Sequence, residues 1–233
     1  MAGNDARPLA PHSKTIFLLC IALCAASLPG AAPTRQDSHD FAAKIAFRYG
    51  FQDFPSVRSL HYVIHVRSGD KGKERTREWT WFPHEDSVVY RGEDAKDLTL
   101  TASYSRRNQY SLASEAVAAI DRDFVLDQYW FLFPLHLRWD EASYPSLGPG
   151  GNLRVRYPKH GGPAPASVIE VTATADGTVT AWSFQGNAKD TSVVRADWSA
   201  PKVIDGLPVS LDRRLADGSR IWFSAVKVSR STP

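Results

Sequence analysis

The stretch VIEVTATADGTVTAWSF, residues 168–184, indicates the fold class more clearly than any other part of the sequence. Its central Asp176-Gly177 dipeptide is typical of a two-residue β-hairpin turn. Pairing the residues outward from this turn gives one largely apolar face and one largely polar face. The apolar face is predicted to consist of Ile169, Val171, Trp182 and Phe184. The hairpin therefore predicts an antiparallel sheet that buries only one side.

Similar alternation surrounds this hairpin. RSLHYVIHVRS, ERTREWTWF, SVVYRG and LTLTASY, all between residues 58 and 104, predict a four-strand meander. After a helical region, LRVRYP and a second hairpin at Asp217-Gly218 bring the later part of the sheet to about five to seven strands. Arg213 is expected to face Trp222 there as an exposed cation–π pair. SYPSLGPGGN, residues 143–152, is predicted to be a loop.

Two segments have helical spacing. SHDFAAKIAFRYG, residues 38–50, repeats large apolar residues every four positions, with Asp40 expected to cap its start and Gly50 to end it. The same spacing runs from Leu112 through Phe124. This second helix enters the most apolar stretch of the chain, DQYWFLFPLHLRWD, residues 127–140.

Pro134 is expected to end the second helix, because proline clashes with the preceding turn. A strand should follow, with alternate side chains on opposite faces. The apolar face is predicted to hold Leu135, Leu137 and Trp139, and the polar face His136, Arg138 and Asp140. The predicted fold is α+β, with a curled antiparallel sheet, an incomplete β-barrel, covered by two or three helices.

Aromatic residues on such a sheet are candidates for the wall of an apolar cavity, since tryptophan often lines concave sites. A plain aromatic core filler is the competing interpretation. The cavity candidates are Trp79, Trp81, Trp130, Phe131, Phe133, Leu135, Leu137, Trp139, Trp182 and Phe184.

The N-terminus has the pattern of a secretory signal peptide. Lys14 precedes the uncharged run IFLLCIALCAA, residues 16–26, and small residues follow. The run is shorter than the roughly 20 residues that a membrane-spanning helix needs. Residues 1–32 are therefore predicted to be the signal peptide, and 33–233 a single exported domain without a transmembrane segment.

Both cysteines, Cys20 and Cys24, lie inside that run, so the exported chain has none. An exported protein without disulfides is more typical of a bacterial periplasm than of an animal extracellular space. Lipoprotein anchoring at Cys24 is the alternative. The formal net charge of +3 is too small and too scattered to indicate nucleic-acid binding.

Motifs for catalysis, phosphate binding or metal binding are not evident, and no cofactor is predicted. His61 and His65 would lie about 13 Å apart on a strand, too far to share one zinc ion. A hydrolase that uses His136 or His84 with nearby carboxylates is the enzymatic alternative.

The order of elements resembles the periplasmic lipoprotein-localisation carriers of the LolA/LolB-like fold. More locally, RTREWTWFPHEDSVVYRG and DQYWFLFPLHLRWD look like a group of secreted bacterial proteins associated with that fold, rather than the carriers themselves. The resemblance implies a non-enzymatic protein whose apolar cavity binds a lipid or acylated ligand, and it assigns no site residue. A cell-envelope protein that contacts a protein partner and has a filled core is the structural alternative.

Overall fold

The computed structural model describes residues 34–93, 99–108, 112, 114–140, 143–148, 151–159, 161–186 and 192–231. They lie within one compact unit, Pro33–Pro233. The predicted signal peptide, with Cys20 and Cys24, lies outside the described residues.

An open antiparallel sheet dominates the described part of the chain. Its strands are β1 (Val57–Arg67), β2 (Glu74–Phe82), β3 (Ser87–Glu93), β4 (Thr99–Ser105), β5 (Tyr144–Leu147), β6 (Leu153–Arg156), β7 (Val168–Ala173), β8 (Val179–Gln185), β9 (Val194–Trp198), β12 (Asp212–Leu215) and β13 (Arg220–Arg230), while β10 (Lys202–Ile204) and β11 (Leu207–Val209) form a separate pair. The 11 strands follow the order β4-β3-β2-β1-β13-β12-β9-β8-β7-β6-β5. Strands β4 and β5 are its two edges, so the predicted curled, incomplete barrel is confirmed.

Strand β5 corrects the sequence prediction, which assigned its residues to a loop. Its four residues pair with β6, and the Ser38 hydroxyl donates to the Pro145 carbonyl at 3.0 Å. Proline is tolerated at a sheet edge, because the missing N–H does not interrupt a ladder on both sides. The composition therefore looked like a loop although the backbone is paired.

The hairpin that indicated the fold has nearly the predicted register. Val171 lies opposite Trp182 and Ile169 opposite Phe184, as expected. A bulge after Thr172 shifts the pairing next to the turn. At the turn Gly177 has φ +88°, and a Cβ there would lie 3.1 Å from a backbone oxygen of the first helix. Only glycine meets both conditions without strain.

The second hairpin differs from the prediction by one residue, which reverses the side of the sheet that each side chain faces. Arg213 pairs with Ile221 instead of Trp222 and is fully buried, so the predicted exposed cation–π pair is wrong. Its guanidinium carbon lies 3.4 Å from the ring centre of Trp198. Arg220 takes the predicted place over Trp222, at 4.9 Å.

Helix α1 (Arg35–Arg48) starts three residues earlier than predicted. Thr34 is its N-cap and forms a capping box with Asp37, so the predicted cap at Asp40 is wrong. The apolar stripe has the predicted spacing, and Ile45 is fully buried. Tyr49, just after the helix, accepts a hydrogen bond from a β8 backbone N–H at 3.2 Å, which holds α1 to the sheet.

Helix α2 (Glu115–Trp139) continues through Pro134, contrary to the prediction that it would end there. The helix is kinked, with Leu132 at φ −116° and ψ 17°. Because proline has no N–H, the carbonyl of Trp130 loses its usual helical partner. The buried guanidinium of Arg213 replaces it by donating to that carbonyl at 3.0 Å. Strand β12 thus supplies the hydrogen bond that the proline removes.

The residues beyond Pro134 consequently do not alternate between two faces. Leu135, His136 and Leu137 are consecutive and all buried, whereas Arg138 is exposed. Helical spacing, and not strand spacing, therefore decides which of these side chains meet.

The kinked half of α2 fills the concave face of the sheet. The ring of Phe131 lies 4.6 Å from the rings of both Tyr62 and Phe223. Phe133 is fully buried, with its ring 5.4 Å from that of Trp182. The centre of the fold is thus a packed aromatic core.

A buried ion pair also ties α2 to β2. Asp127 is fully buried and accepts two hydrogen bonds from Arg77, at 2.7 and 2.6 Å. The indole N–H of Trp79 donates to the same carboxylate at 2.9 Å. Burial raises the pKa of Asp127, and the hydrogen bonds from Arg77 and Trp79 oppose that rise.

Candidate ligand-binding cleft

An open cleft of about 450 Å³ lies at one end of the filled core. It is formed by the second half of α2, the segment between α1 and β1, the turn between β2 and β3, and the end of β4. Its lining residues are Phe51, Phe54, Pro55, Trp81, Pro83, His84, Arg106, Gln128, His136 and Trp139. The volume falls in the range of roughly 300–1,000 Å³ that is usual for small-molecule sites.

Aromatic rings form one wall of the cleft. The ring of Phe54 lies 4.7 Å from that of Trp139 and 5.7 Å from that of Trp81. The two tryptophans meet edge to face at 6.2 Å. These contacts hold the rings in place, so the wall is preformed for an apolar ligand.

Three buried polar atoms belong to side chains that line the same cleft. The atoms are Trp81 Nε1, Gln128 Nε2 and His136 Nε2, and each is shielded from solvent. Among the described residues none of the three has a hydrogen-bond partner. An unpaired buried polar group costs about 1–3 kcal/mol. Eleven further shielded side-chain nitrogen or oxygen atoms of the described residues are likewise unpaired, and what distinguishes these three is that their side chains line one open cleft.

The second ring nitrogen of His136, Nδ1, contacts the protein and helps to fix the imidazole. Its Nδ1 lies 3.3 Å from a carboxylate oxygen of Asp140, four residues later on the helix. Tyr129 stacks on the imidazole with a ring separation of 3.9 Å, and its hydroxyl donates to the same carboxylate. The pair exists only because α2 continues past Pro134, since residues four apart meet on a helix but lie about 13 Å apart on a strand.

This cluster gives a testable pH dependence. Burial, the largest cause, together with Tyr157 and Asp140, raises the pKa of Tyr129 far above its ordinary value. An unfolded tyrosine ionises near pH 10, so the stabilisation is complete below that pH and is lost as pH rises above it. Tyr129→Phe should reduce this alkaline loss by up to about 1.4 kcal/mol per pH unit. Urea unfolding between pH 8 and 11.5 measures it, and parallel curves for both proteins would contradict the assignment.

Three arginine side chains lie in the lining of the cleft or contact it. Arg106 lines the cleft and pairs with Asp121 at 2.8 Å and with Asp86 at 3.6 Å. Arg107 donates to the backbone carbonyl of His84 at 2.5 Å, and the Arg138 guanidinium lies 5.8 Å from the ring centre of Phe51. No aspartate or glutamate occurs among the described residues of the lining. The cleft therefore combines an apolar wall with an edge of arginine side chains, one of which is paired with two aspartates.

The structure brings two of the ten predicted cavity residues, Trp81 and Trp139, into this lining. The other eight pack in the core or at its edge, outside the lining: Trp79, Trp130, Phe131, Phe133, Leu135, Leu137, Trp182 and Phe184. His84 and His136, the two histidines of the hydrolase alternative, both line the cleft. Gln128 was not among the predicted residues, because it shares a face of α2 with His136 and Trp139 only if the helix continues through the proline.

Other polar clusters have local roles. His65 hydrogen-bonds Glu74 and Ser224, both at 2.7 Å, and stacks on Trp222. His61 bonds Thr80 at 3.0 Å. The part of the chain that the structure describes contains no group of three or more His, Cys, Asp or Glu residues placed to hold a metal ion. Within that same part, no helix has both the length and the apolar character needed to cross a membrane.

Comparison with known proteins gives architectural likenesses only. No family model matches the sequence, and no curated protein matches it. A DUF1329 family protein from Desulfovibrio piger is 13% identical with a TM-score of 0.40, covering 84% of this chain and 95% of that one. A LolA superfamily protein from Nitrosomonas europaea is 12% identical (TM-score 0.45, coverage 87% and 96%), and a putative outer membrane lipoprotein-sorting protein domain from Vibrio parahaemolyticus is 7% identical (TM-score 0.45, coverage 86% and 95%).

The predicted resemblance to the LolA/LolB-like architecture agrees with these neighbours. At such low identity and TM-scores below 0.5, the neighbours say nothing about what this chain binds. The cleft is therefore the feature of this chain that bears on its function.

Proposed function

We propose that this protein is a periplasmic, non-enzymatic binding protein that takes a lipid or an acyl chain into the aromatic cleft. The observation that carries the proposal is the open 450 Å³ cleft beside an otherwise filled core. A preformed apolar wall binds a hydrocarbon chain without first having to rearrange, which lowers the cost of binding.

The size of the cleft limits the ligand. Taking about 30 Å³ for a group the size of a water molecule, the cleft holds roughly fifteen such groups. That volume suits one acyl chain with a compact head better than a lipid with two chains. The mouth is open to solvent, so a ligand longer than the cleft can extend outward.

The proposed location rests on the N-terminal sequence. Lys14, the uncharged run at residues 16–26 and the absence of cysteine after Cys24 fit export to a periplasm. Anchoring through a lipidated Cys24 is the alternative location. Both place the cleft beside the membranes of the cell envelope.

Native mass spectrometry tests ligand and location together. Protein expressed from the complete sequence and purified from the periplasmic fraction is expected to lack roughly its first 26–32 residues. It is also expected to carry an apolar molecule that is released on denaturation. A further mass of a diacylglyceryl group on Cys24 would support anchoring instead. Ligand-free protein, prepared without detergent, would favour the cell-envelope structural protein with a filled core.

A hydrolase is the second candidate, and the His136–Asp140 contact is the observation that favours it. A carboxylate on one ring nitrogen orients an imidazole for general-base chemistry at the other nitrogen. The described residues of the lining include no Ser, Thr or Cys, so the attacking group would have to be water. Release of p-nitrophenol from acyl esters by wild type, abolished in His136→Asn, would support the hydrolase. Identical background rates for both proteins and for buffer would remove it.

A further inference from the structure

The polar side of the cleft specifies what kind of head group the ligand carries. Trp81 Nε1 and Gln128 Nε2 are hydrogen-bond donors and have no acceptor function. Both are buried and without a partner among the described residues. The group that satisfies them must therefore be an acceptor, which an alkyl chain alone does not provide.

His136 adds a third position. When Nδ1 donates to Asp140, Nε2 is the nitrogen left to meet a ligand. The imidazole thereby adds a third polar atom beside the donors of Trp81 and Gln128.

The charges around the cleft agree with an anion. The lining holds Arg106, and Arg107 and Arg138 contact residues of the lining. The carboxylates nearby are already engaged: Asp121 and Asp86 with Arg106, and Asp140 with His136 and Tyr129. A cationic head would meet only positive or neutral groups in the described lining.

We infer that the ligand is a free long-chain carboxylic acid, whose chain lies against the aromatic wall and whose carboxylate accepts hydrogen bonds from Trp81 and Gln128 once these shielded donors turn toward the cleft. This inference rests on the proposed function and names its ligand class. A carboxylate is planar and compact, and its two oxygens accept from several donors at once. An ester or amide carbonyl at the same place offers the donors a neutral acceptor, which forms weaker hydrogen bonds than a carboxylate.

Calorimetric titration with four probes of one chain length tests the head group on unmodified protein. The probes are dodecanoate, methyl dodecanoate, dodecanol and dodecyltrimethylammonium, each below its micelle concentration. Dodecanoate is expected to bind about tenfold or more tightly than the methyl ester or the alcohol, as charge-assisted hydrogen bonds are stronger than neutral ones. The ammonium probe should bind most weakly.

Gln128→Leu provides a matched variant. Leucine is apolar, one atom shorter and has no donor, so dodecanoate should bind about tenfold more weakly while the methyl ester and the alcohol change less. The ligand-free variant should be as stable as wild type or more stable, because an unsatisfied buried group is removed. Arg195→Gln, at an exposed position on the opposite face of the sheet, is the control and should bind all four probes like wild type.

The outcomes separate the two proposals. Equal binding of the three uncharged or anionic probes, unaffected by Gln128→Leu, would overturn the carboxylate assignment and leave chain binding intact. Tighter binding of the ammonium probe would also overturn it. Failure of every probe to bind would remove the proposed function itself.

Discussion

Replacing Asp127 with Ala is expected to lower the free energy of unfolding by about 3–5 kcal/mol, the usual cost of removing one partner from a buried ion pair. The carboxylate is fully buried and accepts three hydrogen bonds, two from Arg77 and one from Trp79. The variant leaves the guanidinium, only 22% exposed, without its counter-charge. It also leaves a buried indole N–H without an acceptor.

Urea unfolding followed by circular dichroism measures this loss. Asp123→Ala is the matched control, since Asp123 lies one turn earlier on α2 and is exposed. The free energy of unfolding of that control should stay within about 0.5 kcal/mol of the wild-type value. If Asp127→Ala and Asp123→Ala unfold at the same urea concentration, the ion pair does not hold α2 to β2.

Most of the sheet could be predicted from the sequence because its signals are local. Alternating residues and an Asp-Gly turn lie within a few positions of one another, so the hairpin at 168–184 could be paired without knowing the rest of the fold. At Asp217-Gly218 the predicted strand register was wrong by one residue. There the mixed faces did not determine the register, and a shift of one residue buried Arg213.

The path of α2 through Pro134 could not be predicted in this way, because the residue that compensates for the proline lies far away in the sequence. Pro134 removes a hydrogen bond locally, and the sequence near it offers no replacement. The replacement is Arg213, 83 residues away from the Trp130 carbonyl that it satisfies. Asp127 likewise resembles an ordinary helix-surface acid until Arg77, 50 residues earlier, is placed beside it.

The candidate site depends on the same long-range contacts. Gln128, His136 and Trp139 share the cleft only because the helix continues beyond Pro134, and Phe54 and Trp81 come from other elements. Of the ten residues predicted from the aromatic pattern to line a cavity, Trp81 and Trp139 lie in this cleft and eight do not. The unpaired donors could not be recognised from sequence, because being unpaired is a property of the packing. Places where a native fold leaves local rules unsatisfied are often functional.

Replacing Phe133 with Ala is expected to cost about 3–5 kcal/mol of stability. The side chain is fully buried between the kinked part of α2 and the sheet, with its ring 5.4 Å from that of Trp182 and 6.3 Å from that of Trp198. Truncation leaves a cavity beside these rings, and that cavity adds to the loss of buried apolar surface. Phe133→Leu, the matched control, should cost clearly less, since it keeps most of the volume.

The same variant decides whether α2 is a fixed plug or a lid over the ligand. Phe133 does not line the cleft, so a fixed plug predicts that dodecanoate binds Phe133→Ala with wild-type affinity at temperatures where the variant remains folded. If α2 were a lid that lifts to admit the ligand, the packing of Phe133 in the closed state would contribute less to stability. The variant would then lose little stability, and its rate of ligand uptake would change. Stopped-flow tryptophan fluorescence, using the Trp81 and Trp139 that line the cleft, distinguishes the fixed plug from the lid.

The buried hydrogen bond from Arg213 to the kink favours the plug, because lifting the helix would break the bond between a buried guanidinium and a buried carbonyl in an aromatic core.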